Sequence, residues 1–381
     1  MHLIPLNRPT LGGKEQEYIN KVINARQLAG NKEFTQKAQQ FIQNIIGCDR
    51  VFLTHSCTDA LEMSAILADI EPGDEIIMPS FTFPSTANAF VLRGGVPVFV
   101  DIRHDTLNID ENKIEEAITE KTKAIVPVHY AGVACEMDTI LEIAKKHGLK
   151  VIEDAAQGIR ASYKNKPLGG FGIMGSLSFH QSKNIISGEG GALLINDSQI
   201  IERAEIIWEK GTNRLKFFRG DIDEYNWVDV GSSYLPGELT AAFLCAQFDI
   251  IDDITVKRMK VWTTYHQAFE YLGNKEKVRR PIIPDVCQHN AHIYYLLLTD
   301  NNERNRLLAY LKDANIISAF HYAPLHLAPA AKKYAKASGP LPITENISER
   351  LIRLPIWAGL SSEDMQRVIE TIFDFFKKTQ K

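Results

Sequence analysis

The sequence predicts an α/β protein: a mostly parallel sheet of seven strands with helices on both faces, followed by a smaller α+β unit. Between about residues 50 and 200, short runs rich in Val, Ile and Phe alternate with longer stretches of helical period, the pattern of strands joined by crossover helices. After about residue 250 the order changes to a long polar helix, a connection through Pro281 and Pro284, then short strands and further helices. The 381 residues also exceed the roughly 250–300 at which a single core stops growing. Residues 1–250 are therefore expected to form a large unit and residues 251–381 a small one.

In chain order, strands are expected at 50–53, 75–78, 96–101, 124–128, 151–154, 177–179 and 192–195. A helix over 58–67 follows the first strand and one over 85–93 the second. A third, over 137–147, lies between the fourth and fifth strands, and Gly148 suits the left-handed position just past its end. A helix over 253–271 opens the small unit, and the last helix, over 362–378, runs into a Lys-rich tail. The first 45 residues admit a helix and an arm packed on a neighbouring subunit, without requiring either.

Hydrophobic residues make up 45% and charged residues 24% of the chain, the balance of a soluble globular protein. The formal net charge is −4, with Lys and Arg scattered, so no nucleic-acid groove is expected. No stretch approaches the roughly 20 apolar residues that span a bilayer, and the start lacks an apolar leader. A cytoplasmic protein acting on small molecules is expected. Cys48, Cys57, Cys135, Cys245 and Cys287 are odd in number and without a CxxC pair, which argues against disulfides or a metal centre.

Four segments carry chemistry. V-I-E-D-A-A-Q, residues 151–157, delivers Asp154 to the end of a strand and Gln157 to the loop beyond, where open α/β sheets bind ligands. Asp154 either caps the next segment or faces a cation, and a pyridinium nitrogen is such a cation. Gln157 then reaches another edge of the same ring. S-L-S-F-H-Q-S-K-N-I-I-S-G-E-G-G, residues 176–191, places Lys183 after a strand and before a Gly-rich turn. Alone it reads as a surface lysine; in a desolvated setting its free amine forms a Schiff base with an aldehyde. Ser178 in the same strand offers a hydroxyl to a phosphate.

In T-H-S-C-T-D-A-L, residues 54–61, a strand runs into a helix through small and hydroxylic residues. The backbone amides of Cys57 and Thr58 either cradle a phosphate at that helix start or belong to an ordinary N-cap by Ser56 or Thr58. P-S-F-T-F-P-S-T, residues 79–86, brings Phe81 and Phe83 to the same edge, one as a platform for an aromatic ring or both as core. Together the four segments converge on a pocket with a phosphate cradle, an aromatic face, a carboxylate and a lysine.

This combination, with L-A-G-N-K-E-F-T at residues 28–35 and F-H-Y-A-P-L-H at residues 320–326, resembles the DegT/DnrJ/EryC1/StrS sugar aminotransferases. These have the aspartate-aminotransferase (type I) fold of pyridoxal-phosphate enzymes. The resemblance implies pyridoxal 5'-phosphate held as an imine by Lys183, with Asp154 on its ring nitrogen and Gln157 at the ring edge. It further implies Ser178, Cys57 and Thr58 on the phosphate and Phe83 stacked on the ring. Many relatives reach the phosphate with an Asn from a second subunit; here Ser233, in V-G-S-S-Y-L-P-G-E, stands at that place, so a homodimer is implied.

H-Y-A-G-V-A-C-E-M-D (129–138), E-K-G-T-N-R (209–214) and F-F-R-G (217–220) are similar to the subgroup acting on dTDP-4-amino-4,6-dideoxygalactose. That implies dTDP-4-dehydro-6-deoxyglucose as acceptor and L-glutamate as donor, for a surface polysaccharide such as enterobacterial common antigen. His180, His321, Tyr322 and His326 are candidate contacts to the sugar or its diphosphate, each equally open to a structural role. A Lys at position 183, where dehydrating relatives carry His, selects amino transfer over removal of a hydroxyl, and the intact Asp154 and Lys183 argue against a non-catalytic sensor.

Overall fold

The computed structural model describes residues 2–378; the end of the expected Lys-rich tail lies outside them. Seven strands form the central sheet: β1 (Arg50–Thr54), β2 (Glu75–Pro79), β3 (Val96–Val100), β4 (Thr122–Ile125), β5 (Lys150–Asp154), β6 (Met174–Ser178) and β7 (Gly191–Ile195). They lie in the order β1-β7-β6-β5-β4-β2-β3. Only β7 runs against its neighbours in this set, pairing antiparallel with β1 and β6. Every residue of β2, β6 and β7 is buried, as strands covered on both faces must be.

The expected fourth strand, 124–128, is shorter at its far end because Pro127 has no N–H for the ladder. Its direction persists through the Val126 amide, which donates to the Ile77 carbonyl, and a bridge from Val128 to Asp154. Alternating side chains feed two cores. Val51, Leu53, Ile77 and Val151 join one apolar cluster, whereas Phe52, Ile76, Met78 and Ile152 join another, the two-residue period of a pleated strand.

The helices expected after β1 and β2 are α3 (Cys57–Leu67) and α4 (Pro84–Val91), preceded by α1 (Glu15–Ala25) and α2 (Glu33–Ile46) and followed by α5 (Met137–His147). Gly148 closes α5 with φ 66°. Pro84 occupies the first turn of α4, where its fixed φ and missing N–H cost nothing. The start of α2 is held by a residue two hundred positions away. Glu238, buried to 1% exposure, accepts the amides of Lys32, Phe34 and Thr35, supplying the negative charge that a helix N-terminus favours. The extreme N-terminus packs on its own chain: Ile4 bridges Ile316 and lies in the apolar cluster of the C-terminal part.

In the C-terminal part the expected single helix over 253–271 is two, Ile251–Ala268 and Glu270–Asn274. The break at Phe269 turns that ring, fully buried, into the C-terminal core. Strand β8 (Tyr294–Leu297), strand β9 (Lys336–Ala337) and strand β10 (Leu351–Leu354) follow. β8 and β10 form an antiparallel pair, and β9 adds in parallel to β3 as an eighth strand of the main sheet. Among the described residues no helix is long and apolar enough to cross a membrane.

Candidate active site

A cavity of about 730 Å³ opens at the carboxyl ends of β1, β5 and β6. The first turn of α3 forms one wall. Ser56 is its N-cap: Ser56 Oγ accepts the Asp59 amide at 3.1 Å and the Asp59 carboxylate accepts the Ser56 amide at 3.1 Å. That capping box leaves the amides of Cys57 and Thr58, the first two of the helix, without intrahelical acceptors, and both residues line the cavity. Gly191 makes the approach possible, because a Cβ there would sit 2.4 Å from the Cys57 nitrogen. Burial, then the charge of Asp154, pushes the Cys57 thiol up to about 12, so it stays protonated near neutrality.

Asp154 ends β5 and is 5% exposed. Its Oδ1 accepts the Ala156 amide at 3.1 Å and its Oδ2 the Thr86 hydroxyl at 2.7 Å. The carboxylate therefore shapes the local turn and lines the cavity as well. Gln157 Oε1 accepts the Ala131 amide at 2.7 Å while Nε2 donates to the Tyr322 hydroxyl at 3.0 Å. Of the two aromatics in the 79–86 loop, Phe83 is 59% exposed and lines the cavity. Phe81 is core, its ring centroid 5.1 Å from that of Tyr130.

Lys183 leaves β6 through a tight turn in which its amide donates to the His180 carbonyl at 2.8 Å. Desolvation lowers the basicity of its amine, opposed by the nearby Cys57 and Asp154. Ser178 and His180 line the same wall, and His180 Nδ1 meets the Ser182 hydroxyl at 2.7 Å. His321 and Tyr322 line the opposite wall, with the Tyr130 hydroxyl 3.0 Å from His321 Nδ1. Burial, with Arg353 and Lys183 adding, holds His321 well below the ordinary histidine range, so its ring is neutral.

Two expected residues are not brought to this cavity. His326 Nδ1 meets Ser80 Oγ at 2.7 Å and Nε2 meets Glu345 at 3.2 Å; both nitrogens are occupied in joining the end of β2 to the C-terminal part. Ser233 is exposed and bridges Glu209 outside the cavity.

Among the residues that sequence reasoning passed over, Thr86, His292 and Arg353 line it. Arg353 had a signal, since it interrupts an otherwise apolar strand, L-I-R-L. Among the described residues its guanidinium has no ion pair, and its Nε is buried without a partner. His292 is fixed by Asn184 Oδ1 at 3.0 Å from Nδ1.

Residues 9–373 match the DegT/DnrJ/EryC1/StrS aminotransferase family. The chain belongs to that family. Spore coat polysaccharide biosynthesis protein SpsC of Bacillus subtilis is 32% identical to this aminotransferase, over 99% of the chain and 98% of its own length. Among solved structures, the aminotransferase TlmJ of Streptoalloteichus hindustanus superposes with a TM-score of 0.91 at 27% identity, covering 100% of both chains. DesV of S. venezuelae, solved in complex with a ketimine intermediate, gives 0.89 at 26% identity over 98% of this chain and 99% of its own. The protein is thus a sugar aminotransferase of the DegT/DnrJ type with pyridoxal phosphate as its cofactor.

Proposed function

We propose that Lys183 bonds to pyridoxal phosphate in this cavity and that the enzyme moves an amino group from L-glutamate to a nucleotide-linked keto sugar. The acceptor is dTDP-4-dehydro-6-deoxyglucose and the product dTDP-4-amino-4,6-dideoxygalactose, for a surface polysaccharide of the enterobacterial-common-antigen type. One observation carries the reading: a single cavity holds unpaired helix-start amides, a buried carboxylate and a lysine of lowered basicity. These are the complements of a phosphate, a pyridinium nitrogen and an aldehyde.

When bound, pyridoxal phosphate supplies an electron sink for the carbon that loses its proton. The chain supplies the rest. Cys57 and Thr58 hold the phosphate through their amides, with Ser178 adding its hydroxyl, and Asp154 keeps the ring nitrogen protonated. Phe83 covers one ring face, and Gln157 sits at the ring edge. The Lys183 amine, its basicity lowered by burial, would take the proton from the donor carbon as a positioned base. Arg353, a guanidinium without a carboxylate of its own, pairs with a carboxylate of glutamate. His180, His321 and Tyr322 meet the sugar. The name of SpsC supports a sugar acceptor; the segments 129–138, 209–214 and 217–220 support the dTDP-linked one.

The working unit is a cytoplasmic homodimer in which Ser233 reaches the partner's phosphate site. Exposed aromatics near that residue, Phe218 at 62%, Tyr225 at 51% and Trp227 at 80%, support a covered face there. To test the reading, the purified enzyme is incubated with glutamate and a panel of dTDP- and UDP-keto sugars, and products are identified by mass and NMR. A visible cofactor band absent from Lys183→Ala, and an aminated dTDP sugar, are expected. Protein that stays colourless with added pyridoxal phosphate, or product formed by Lys183→Ala at the native rate, overturns the proposal.

A further inference from the structure

We infer that Thr86 is a positioning residue for Asp154: a chain of hydroxyls, Thr82 to Thr86 to Asp154, orients the carboxylate. The inference rests on the reading of Asp154 as the partner of the cofactor's ring nitrogen.

Thr82 Oγ1 lies 2.8 Å from Thr86 Oγ1, which lies 2.7 Å from Asp154 Oδ2. All three residues are buried, at 1%, 0% and 5% exposure. A hydroxyl has one proton. Thr86 gives its proton to Asp154, so the contact with Thr82 must run the other way, with Thr82 donating. Oδ1 receives the Ala156 amide, so both carboxylate oxygens face donors. With Asp154 as a carboxylate every member of this network is satisfied, and lone pairs remain for the cavity. An ionised carboxylate is what a protonated ring nitrogen requires.

The same turn does a second job. Ser85, adjacent in α4, accepts the Thr58 hydroxyl at 2.8 Å. Two successive residues therefore tie α4 to the end of β5 and to the start of α3, with Pro84 stiffening the turn that carries both. The spacing between the phosphate cradle and Asp154, which must equal the span from a phosphate to a ring nitrogen, is set by Ser85 and Thr86.

The test compares wild type with Thr86→Val, which keeps the shape and loses the hydroxyl, and Thr86→Ser, which keeps the hydroxyl and loses the methyl. Cofactor-free proteins are titrated with pyridoxal phosphate by absorbance, the pH midpoint of the bound band is recorded, and melting of the cofactor-free forms reports folding. Thr86→Val should bind about ten-fold more weakly and shift the midpoint, since a hydrogen bond to a charge is lost, with Thr86→Ser within about two-fold of wild type. Turnover of Thr86→Val should fall in kcat with KM for glutamate little changed.

Equal binding and equal pH midpoints in wild type and Thr86→Val overturn the inference, as does equal impairment of Val and Ser. If Thr86→Val does not fold, Thr82→Val decides: it should weaken binding in the same direction by a smaller factor, and no change sinks the relay. Wild type that binds no pyridoxal phosphate instead removes the reading of the cavity itself.

Discussion

Gln157 Nε2 donates a hydrogen bond to the Tyr322 hydroxyl at 3.0 Å, joining the loop after β5 to the C-terminal segment on the opposite wall of the cavity. The other end of the amide is committed to the Ala131 backbone, so Gln157 cannot turn away to find water without breaking a second bond. Burial raises the Tyr322 hydroxyl far above its ordinary range, which makes it a neutral acceptor at any working pH. Tyr322→Phe should therefore leave the Gln157 amide short of an acceptor and destabilise the protein by about 1–2 kcal/mol. Urea unfolding measures this; unchanged stability means that the bond does not hold the two walls together.

Gly191 packs directly against the first turn of α3, the proposed phosphate cradle. An alanine methyl there would press against the backbone of Ser56 and Cys57, with contacts near 2.4 Å, and backbone cannot swing aside as a side chain can. The first turn of α3 must shift, taking the two free amides with it. Gly191→Ala is expected to cost about 1–3 kcal/mol of packing energy and to weaken pyridoxal phosphate binding more than it lowers the melting midpoint of the cofactor-free protein. Absorbance titration beside calorimetry separates the two, and native cofactor affinity in this variant would place the phosphate elsewhere.

Much of this was readable from the chain because the strand interiors are apolar runs, as at 76–78 of β2 and 192–195 of β7, and the strand ends carry the unusual residues. The lysine, the carboxylate and the helix start were visible as breaks in that pattern. What escaped reading depends on contacts between distant segments. Nothing local marks Glu238 as the cap of α2, and two residues, Lys336 and Ala337, are too few to show a strand period. His326 looked like its neighbours in F-H-Y-A-P-L-H, and only the proximity of Ser80 and Glu345 gives it a structural role. Thr86 appeared as one hydroxyl among several in a loop, and its part comes from a carboxylate 68 residues later.

His326 can be separated from the catalytic residues by kinetics. Its ring is engaged at both nitrogens, so His326→Ala should destabilise the fold by roughly 1–3 kcal/mol through the unsatisfied Ser80 hydroxyl and the lost packing. KM for the keto sugar should stay within about two-fold, because the lost bond is internal and no substrate contact goes with it. A large rise in that KM at unchanged stability would restore His326 to the substrate site.

Acid should loosen the C-terminal part through His289. Its ring lies 4.3 Å from that of Trp262, and its Nδ1 accepts the Ala291 amide at 3.2 Å, a bond that needs the ring unprotonated at that nitrogen. Burial, with His266 adding, pulls its pKa from 6.5 down to about 4. The folded state thus disfavours a proton that the unfolded chain takes up, so stability is full above about pH 6.5 and is lost as the pH falls toward about 4. Between pH 7 and pH 5 the loss from this one residue is on the order of 2 kcal/mol. His289→Asn, whose side-chain oxygen can accept the same amide, should flatten that part of the pH dependence. Unfolding free energies of both proteins at the two pH values decide it, and equal slopes would mean that His289 does not carry the acid sensitivity.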